Sequence, residues 1–281
     1  MTKTNQIFNA ILAFLLFGLP QCHAERWLQG VCGLMTSTRD DDTSNSDNDT
    51  SNGVPGQDEI SIPAGTTKGL LTRWQTPGYA IPPGSCQLTQ DPSIAKGSSW
   101  LEPYAFNGTR VCAVPIEMFQ DGLDCGSCYE LTYTGEKATN AGRAGKATIQ
   151  VINHGDIMGF DCQPEVFEEI TGNAVGGIFP VYFKRVDCIY TPPTVVVLTG
   201  DNAYYTKVLV AGGHEGVRAV SMTLGGKRYN LSRVNGATWA TKLDGQSGAT
   251  SFSLTYRDGT VEEVSGCFGG KWPVATSSQC S

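Results

Sequence analysis

Cys125-Gly126-Ser127-Cys128 is the segment of this 281-residue chain whose residue types and spacing most directly name a chemistry. Two thiols three positions apart can form a redox pair or half of a zinc site. Neither is favoured here. No second close pair of Cys or His stands at zinc spacing, and no strand–helix–strand pattern of the thioredoxin kind surrounds the motif. The chain has ten cysteines. In an exported protein that number means structural disulfides, and the bland reading of Cys125 and Cys128 is that each bonds a distant partner. No metal or cofactor is expected.

Export is read from residues 1–24. Lys3 supplies the positive start, Ile7 to Leu19 a short apolar run, and Cys22-His23-Ala24 a loose cleavage site. The run is too short for a membrane span, and no later stretch is apolar enough, so no stable membrane insertion is expected. Without Cys22 nine cysteines remain, and Cys32 is the one left over. Residues 25–60 include an acidic Ser/Thr/Asn/Asp tract with Asp40-Asp41-Asp42, too poor in apolar side chains to order itself. The net charge is −7, with no basic stripe for nucleic acid. Asn48, Asn107 and Asn230 head glycosylation sequons.

The elements that would position any site are mostly strands. The chain is 17% charged and holds 34 glycines, a composition that suits turn-rich β structure. Strand-like runs cover Tyr129 to Thr134, Ala147 to Ile152 and Phe179 to Val186. Pro115 and Pro164 each start a short helix, stopped by Gly122 and Gly172. These belong to a barrel-like domain over 61–190. Thr191-Pro192-Pro193 reads as a stiff link at 191–194. A β-sandwich follows over 195–266, with strands at Val195 to Leu198, Tyr205 to Val210, Val217 to Leu224, Lys227 to Leu231, Ser251 to Tyr256 and Thr260 to Val264. Gly225-Gly226 and Asp258-Gly259 are hairpin signals within it. A tail, 267–281, carries Cys267 and Cys280, a pair placed to clip it shut.

Cys125-Gly126-Ser127-Cys128-Tyr129-Glu130-Leu131, preceded by Phe119-Gln120-Asp121-Gly122 and followed by Phe160-Asp161 and by Lys184-Arg185-Val186-Asp187-Cys188, resembles the first domain of expansins, wall-loosening proteins of plants and microbes. The resemblance runs from about Gly69 to Gly266. It implies an all-β protein, a six-stranded double-psi β-barrel followed by an immunoglobulin-like β-sandwich. It also implies the disulfides Cys86–Cys125 and Cys128–Cys188, which leaves Cys112–Cys162 as an extra pair.

The same resemblance assigns the site. Asp161 takes the place of the family's groove Asp, which is the general acid in related endoglucanases. A carboxyl group there can give a proton or a hydrogen bond to a glycosidic oxygen. The His that precedes this Asp in the family is Gly159 here, with His154 a substitute some residues earlier. Thr72 and Trp74 fall at groove positions on the first strand, and Asn153 at another. Trp74 offers a flat face to a sugar ring or else sits in the core. Tyr204 and Tyr205 fall on the sandwich platform, and they share a surface only if Tyr204 precedes its strand or a bulge intervenes. The third platform position falls at Gly236, so that aromatic is absent, and Trp239 matches a core aromatic.

Inverting hydrolysis needs a second carboxylate across the sugar. The segment Thr72-Arg73-Trp74-Gln75-Thr76 lacks one. Asp91, Glu102 and Asp156 are the acids that could reach in from elsewhere. The expected function is therefore binding and non-hydrolytic loosening of cell-wall polysaccharide (cellulose, hemicellulose or another β-glucan) by a secreted monomer that is not an enzyme. The alternatives are a glycan-cleaving enzyme using Asp161, as an endoglucanase or lytic transglycosylase, and an inert wall-binding module.

Overall fold

The computed structural model describes residues 60–74, 84–88, 108–136, 142–172 and 174–281. Six strands close a barrel: β1 (Thr67–Arg73), β2 (Val111–Pro115), β3 (Cys128–Tyr133), β4 (Gly145–Gly155), β5 (Phe160–Cys162) and β6 (Phe179–Val186). Their order is β1-β5-β2-β4-β3-β6, and β6 pairs back onto β1. The pairs β1–β5 and β2–β4 are parallel and the rest antiparallel. Closure removes the open sheet edges that invite aggregation. Inside lie Leu71, Leu131, Ile149, Phe160, Phe179 and Val181, all fully buried.

Two short helices cover the barrel, α1 (Ile116–Phe119) and α2 (Pro164–Thr171). Pro164 opens α2, where its missing N–H costs nothing. Val166, Phe167 and Ile170 bury one side. Gly172 ends the helix at φ 65° and donates its N–H to the Glu168 carbonyl, the left-handed cap that glycine adopts without strain.

Eight strands form the second body: β7 (Thr191–Thr199), β8 (Tyr205–Gly213), β9 (Val217–Leu224), β10 (Lys227–Asn235), β11 (Thr238–Lys242), β12 (Thr250–Tyr256), β13 (Val261–Cys267) and β14 (Gln279–Cys280). Their order is β13-β12-β9-β10-β11-β8-β7-β14. The strand β10 pairs with β9 over its first half and with β11 over its second, with a register slip between Arg233 and Asn235, so it belongs to both layers. Val195, Val197, Val208 and Val210 of one layer meet Val220, Met222, Phe252 and Leu254 of the other.

Two segment readings change. The stretch 191–194 is not a separate link but the start of β7. Thr191 faces Gly213, and the register slips before Thr194 meets Ala211. The slip falls where Pro192 and Pro193 have no N–H to give to a ladder. The tail, 267–281, returns as β14 against β7, and Gln279 faces Val196.

Four disulfides are present among the described residues: Cys86–Cys125, Cys112–Cys162, Cys128–Cys188 and Cys267–Cys280. Cys125 and Cys128 thus bond outward in different directions. Residues 1–24, Cys32, Asn48 and Asn107 lie outside the described residues. Asn230 is exposed on β10. No helix among the described residues is long and apolar enough to cross a membrane.

Barrel and sandwich are bonded to each other through buried groups. Asp124 of the barrel is fully buried. It accepts from Arg185 at 2.6 Å, from the Tyr129 hydroxyl at 2.8 Å and from Arg257 of the sandwich at 3.0 Å. Arg233 of the sandwich donates to the Gly122 carbonyl of the barrel at 2.9 Å and to the Gly236 and Val217 carbonyls, and its guanidinium stacks on Trp239. Burial and the neighbouring Arg257 push its pKa down to about 10, so it stays charged at neutral pH. Gly236 sits at φ 54°, where an added Cβ would collide with the Ser85 carbonyl and the Cys86 backbone.

Candidate functional site

A single row of residues crosses the barrel wall. In the β1–β5 ladder Thr72 faces Asp161. In the β5–β2 ladder Asp161 faces Ala113, and in the β2–β4 ladder Ala113 faces Asn153. Residues facing each other across neighbouring strands point to the same side of the sheet. On β5 the neighbours Phe160 and Cys162 are buried in the barrel core, which turns Asp161 outward. The outward row therefore reads Thr72, Asp161, Ala113, Asn153, with a methyl group between the acid and the amide.

The row is held by hydrogen bonds. The Thr72 hydroxyl donates to Asp161 Oδ1 at 2.8 Å. Asn153 Oδ1 accepts from the Ser85 backbone N–H at 3.0 Å and from the Ser85 hydroxyl at 2.8 Å. A backbone N–H can only donate, so the atom it meets must be the amide oxygen. The Asn153 nitrogen is then the end left for a ligand, as a donor. Ser85 sits in a turn stitched to β4 by Cys86 N–H to the Ile152 carbonyl at 3.1 Å. Gly84, at φ 58°, makes the turn possible, since a Cβ there would come within 2.5 Å of that carbonyl.

A bulge sets the end of the row. Cys112 faces Val151 and Ala113 faces Asn153, so Ile152 is the extra residue in β4. A bulge re-aims the side chains beside it. Ile152 joins Val111 and the half-buried Trp74 in a small apolar cluster apart from the main cores. Trp74 stands two residues after Thr72, on the same side of the strand direction, and its N–H continues the ladder to the Cys162 carbonyl at 2.7 Å. Its indole is thus packed beside the row, partly covered and partly open. Arg73, between them, turns away to Glu168 of α2 at 3.3 Å.

His154 is not beside the acid in this row. It faces Val114, one place beyond Ala113, and its ring packs at a tilt against Phe119 of α1, with centroids 4.2 Å apart. Gly159, which takes the family's His position, lies against the Leu70 backbone, where a Cβ would strike the Leu70 carbonyl. Asp156 is exposed in the turn after β4. Asp91 and Glu102 lie outside the described residues.

On the sandwich, Tyr204 is 68% and Tyr205 37% exposed. Asn202 Oδ1 accepts both of their backbone N–H groups, at 2.9 and 3.0 Å. The strand begins at Tyr205, so Tyr204 precedes it. Tyr205 faces Lys242, and the Leu243 N–H bonds the Tyr204 carbonyl at 2.8 Å. The Tyr204 ring lies against Gly245. Gly236 is not a platform position, because it is buried at the junction, and Trp239 is a core residue, 3% exposed. Ser85 was missed in the sequence, where a lone Ser after Gly84 carries no signal of its own.

No protein-family model matches the chain. It is 30% identical over 206 residues to pollen allergen Lol p 1 of Lolium perenne, covering 67% of this chain and 77% of the allergen. It is 30% identical over 162 residues to expansin-A20 of Oryza sativa subsp. japonica, covering 54% of this chain and 66% of that protein. The match to expansin-like protein 7 of Dictyostelium discoideum is 24% identical and spans only 21% of that longer relative. In fold, the chain is similar to a mutant expansin of Clavibacter michiganensis solved in complex with cellohexaose. The TM-score is 0.52 at 18% identity, over 75% of this chain and 96% of the other.

Proposed function

The chain belongs to the expansin family, and from that premise we propose that it is a secreted protein that binds a wall polysaccharide of the β-glucan type and loosens it without cutting the chain. The observation that carries this reading is the row Thr72–Asp161–Ala113–Asn153, which contains one carboxylate. Inverting hydrolysis requires a second carboxylate about 6.5–9.5 Å from the first, to activate water. Two strand spacings from Asp161, about 10 Å along the row, stands an amide. An amide cannot take a proton from water. Its oxygen is also already spent on Ser85.

The row suits binding. Asp161 keeps a carboxylate oxygen beyond the one Thr72 holds, and that oxygen accepts from a sugar hydroxyl. The Asn153 nitrogen donates to another. The apolar cluster of Trp74, Val111 and Ile152 beside the row gives a sugar ring a surface to lie on. The bacterial expansin complex with cellohexaose supports a glucan as the occupant. Each hydrogen bond made to a glucan replaces one that glucan makes to its neighbour, so the bundle loosens while every covalent bond stays. Export and a wall location are part of the proposal, and the signal-like segment at residues 1–24 and the disulfides support them.

The test is wall creep or weakening of cellulose paper with wild type and Asp161→Asn. The variant keeps the shape and the Thr72 contact but loses the charge. Loosening falls at least tenfold in the variant on this reading, with pull-down on insoluble glucan reduced only a few fold. Equal loosening by both proteins would remove the Asp161 charge from the action, and binding with no loosening by either would leave an inert binding module.

A further inference from the structure

Two turns of the sandwich meet at the edge of the barrel. The turn 214–216 joins β8 to β9, and the turn 257–260 joins β12 to β13. The Cys188 N–H donates to the His214 carbonyl at 2.7 Å, and a Cβ on Gly216 would come within 2.6 Å of the Ser127 hydroxyl, so the first turn is seated on the barrel. The Arg257 N–H donates to the Gly216 carbonyl at 3.2 Å, which ties the second turn to the first. The Arg257 side chain then reaches Asp124.

Three side chains from these turns converge. His214, Glu215 and Asp258 each place one ligand atom within 4.8 Å of the other two. Asp258 Oδ1 accepts from the Thr260 N–H and from the Thr260 hydroxyl, both at 2.7 Å, and these bonds hold its carboxyl below the usual range. Its Oδ2 is left facing His214 Nε2 at 3.2 Å, and the imidazole rests against the Tyr256 ring, with centroids 4.4 Å apart. Ligands about 2.1 Å from a tetrahedral zinc ion lie about 3.4 Å from each other. The His214–Asp258 pair already has that spacing.

Glu215 gives an independent sign. It is only 9% exposed, and its Oε1 accepts the Asp258 N–H. Its Oε2 has no partner among the described residues, and Glu215 is in no ion pair there. Arg185 feels its charge from farther off but is paired with Asp124. A buried carboxylate without a close cation is costly, and a bound metal ion removes that cost. As a ligand the imidazole is neutral, so the three side chains carry two negative charges and offer one nitrogen and two oxygens. That set suits zinc with water in the fourth position. We propose that His214, Glu215 and Asp258 bind one zinc ion, which fastens the two turns at the barrel–sandwich junction. No motif announces the site in the sequence, because 43 residues separate Glu215 from Asp258. It serves the junction rather than the groove and does not depend on the wall-binding reading.

The experiment titrates zinc into the full, chelator-stripped chain by calorimetry and follows thermal unfolding with zinc, with calcium and with neither. Wild type is expected to bind one equivalent with a dissociation constant of about 1 μM. At about a hundredfold excess over that constant its melting temperature is expected to rise by about 5 °C. Calcium, which favours all-oxygen sites, is expected to give no such rise at the same concentration. His214→Ala and Asp258→Asn are each expected to weaken that equivalent at least tenfold, whereas His154→Ala keeps it. Asp258→Asn retains an Oδ1 for Thr260, so its metal-free melting temperature is expected to match wild type, which separates a lost ligand from a lost fold. No zinc equivalent in wild type, an equivalent that survives both substitutions, or an equal rise with calcium overturns the proposal.

Discussion

Asn153 shows how one small neighbour decides what a side chain offers. With its oxygen fixed by two Ser85 donors, it presents N–H groups and nothing that accepts. Ser85→Ala removes the hydroxyl half of that clamp. A neutral hydrogen bond of this kind is worth about 1 kcal/mol, so glucan affinity falls about fivefold on titration, with the melting temperature little changed. Unchanged affinity would remove Asn153 from the binding row. Tyr129 gives a prediction in pH. Burial first, and then the Asp124 charge, push its pKa up to about 12, against 10.0 for a free tyrosine. A group raised in the folded state stabilises fully below its unfolded pKa, and that stability drains away as pH climbs through the folded value. The window is therefore about pH 10 to 12, and at roughly 1.4 kcal/mol per pH unit the contribution is about 3 kcal/mol. In denaturant titrations the stability gap between wild type and Tyr129→Phe should shrink across that window. A gap that stays constant would show that the hydroxyl titrates normally.

The strand β5 is three residues long, yet it carries the acid. It is held by β1 on one side, by β2 on the other, and by Cys112–Cys162, whose two residues face each other in the β2–β5 ladder. The bond closes a span of 50 residues, and by chain entropy such a link contributes about 4 kcal/mol. Cys112→Ala/Cys162→Ala should lose stability of that order by urea titration, and should lose loosening more than it loses sandwich binding. Equal loss of both would mean that β5 does not depend on the link. This strand also marks where sequence reading stops. Long periodic strands such as Phe179–Val186 and Val217–Leu224 are legible from alternation alone, and Pro164 with Gly172 brackets α2 to the residue. Five residues in β2 and three in β5 show too little of a period to read. Asp161 is legible only through the family resemblance, and the pairings Cys86–Cys125 and Cys128–Cys188 likewise, whereas Cys267 and Cys280 pair by their place in the tail. The register that lines up Thr72, Asp161, Ala113 and Asn153 is a product of closure and of the Ile152 bulge, neither of which has a local signature. Gly236 offers no platform side chain, and domain packing, invisible along the chain, claims its backbone.

Across the whole molecule, the groove and the sandwich face work together only if the two bodies hold their relation. Arg257 on Asp124 and Arg233 on the Gly122 carbonyl span the junction. Removing one partner of a buried charge costs about 3–5 kcal/mol. Arg233→Ala/Arg257→Ala should therefore split a single calorimetric transition into two, and should reduce loosening while each body still binds sugar. A single unshifted transition would mean that apolar packing alone couples them. The proposal that the protein cuts no glucan chain rests on the amide at Asn153 and is open to direct measurement: new reducing ends counted while wild-type protein is applied to walls under load. Creep with reducing ends no higher than in a protein-free control is the expected result. Reducing ends that rise in step with creep, and vanish in Asp161→Ala, would contradict it and make the protein a glycan-cleaving enzyme.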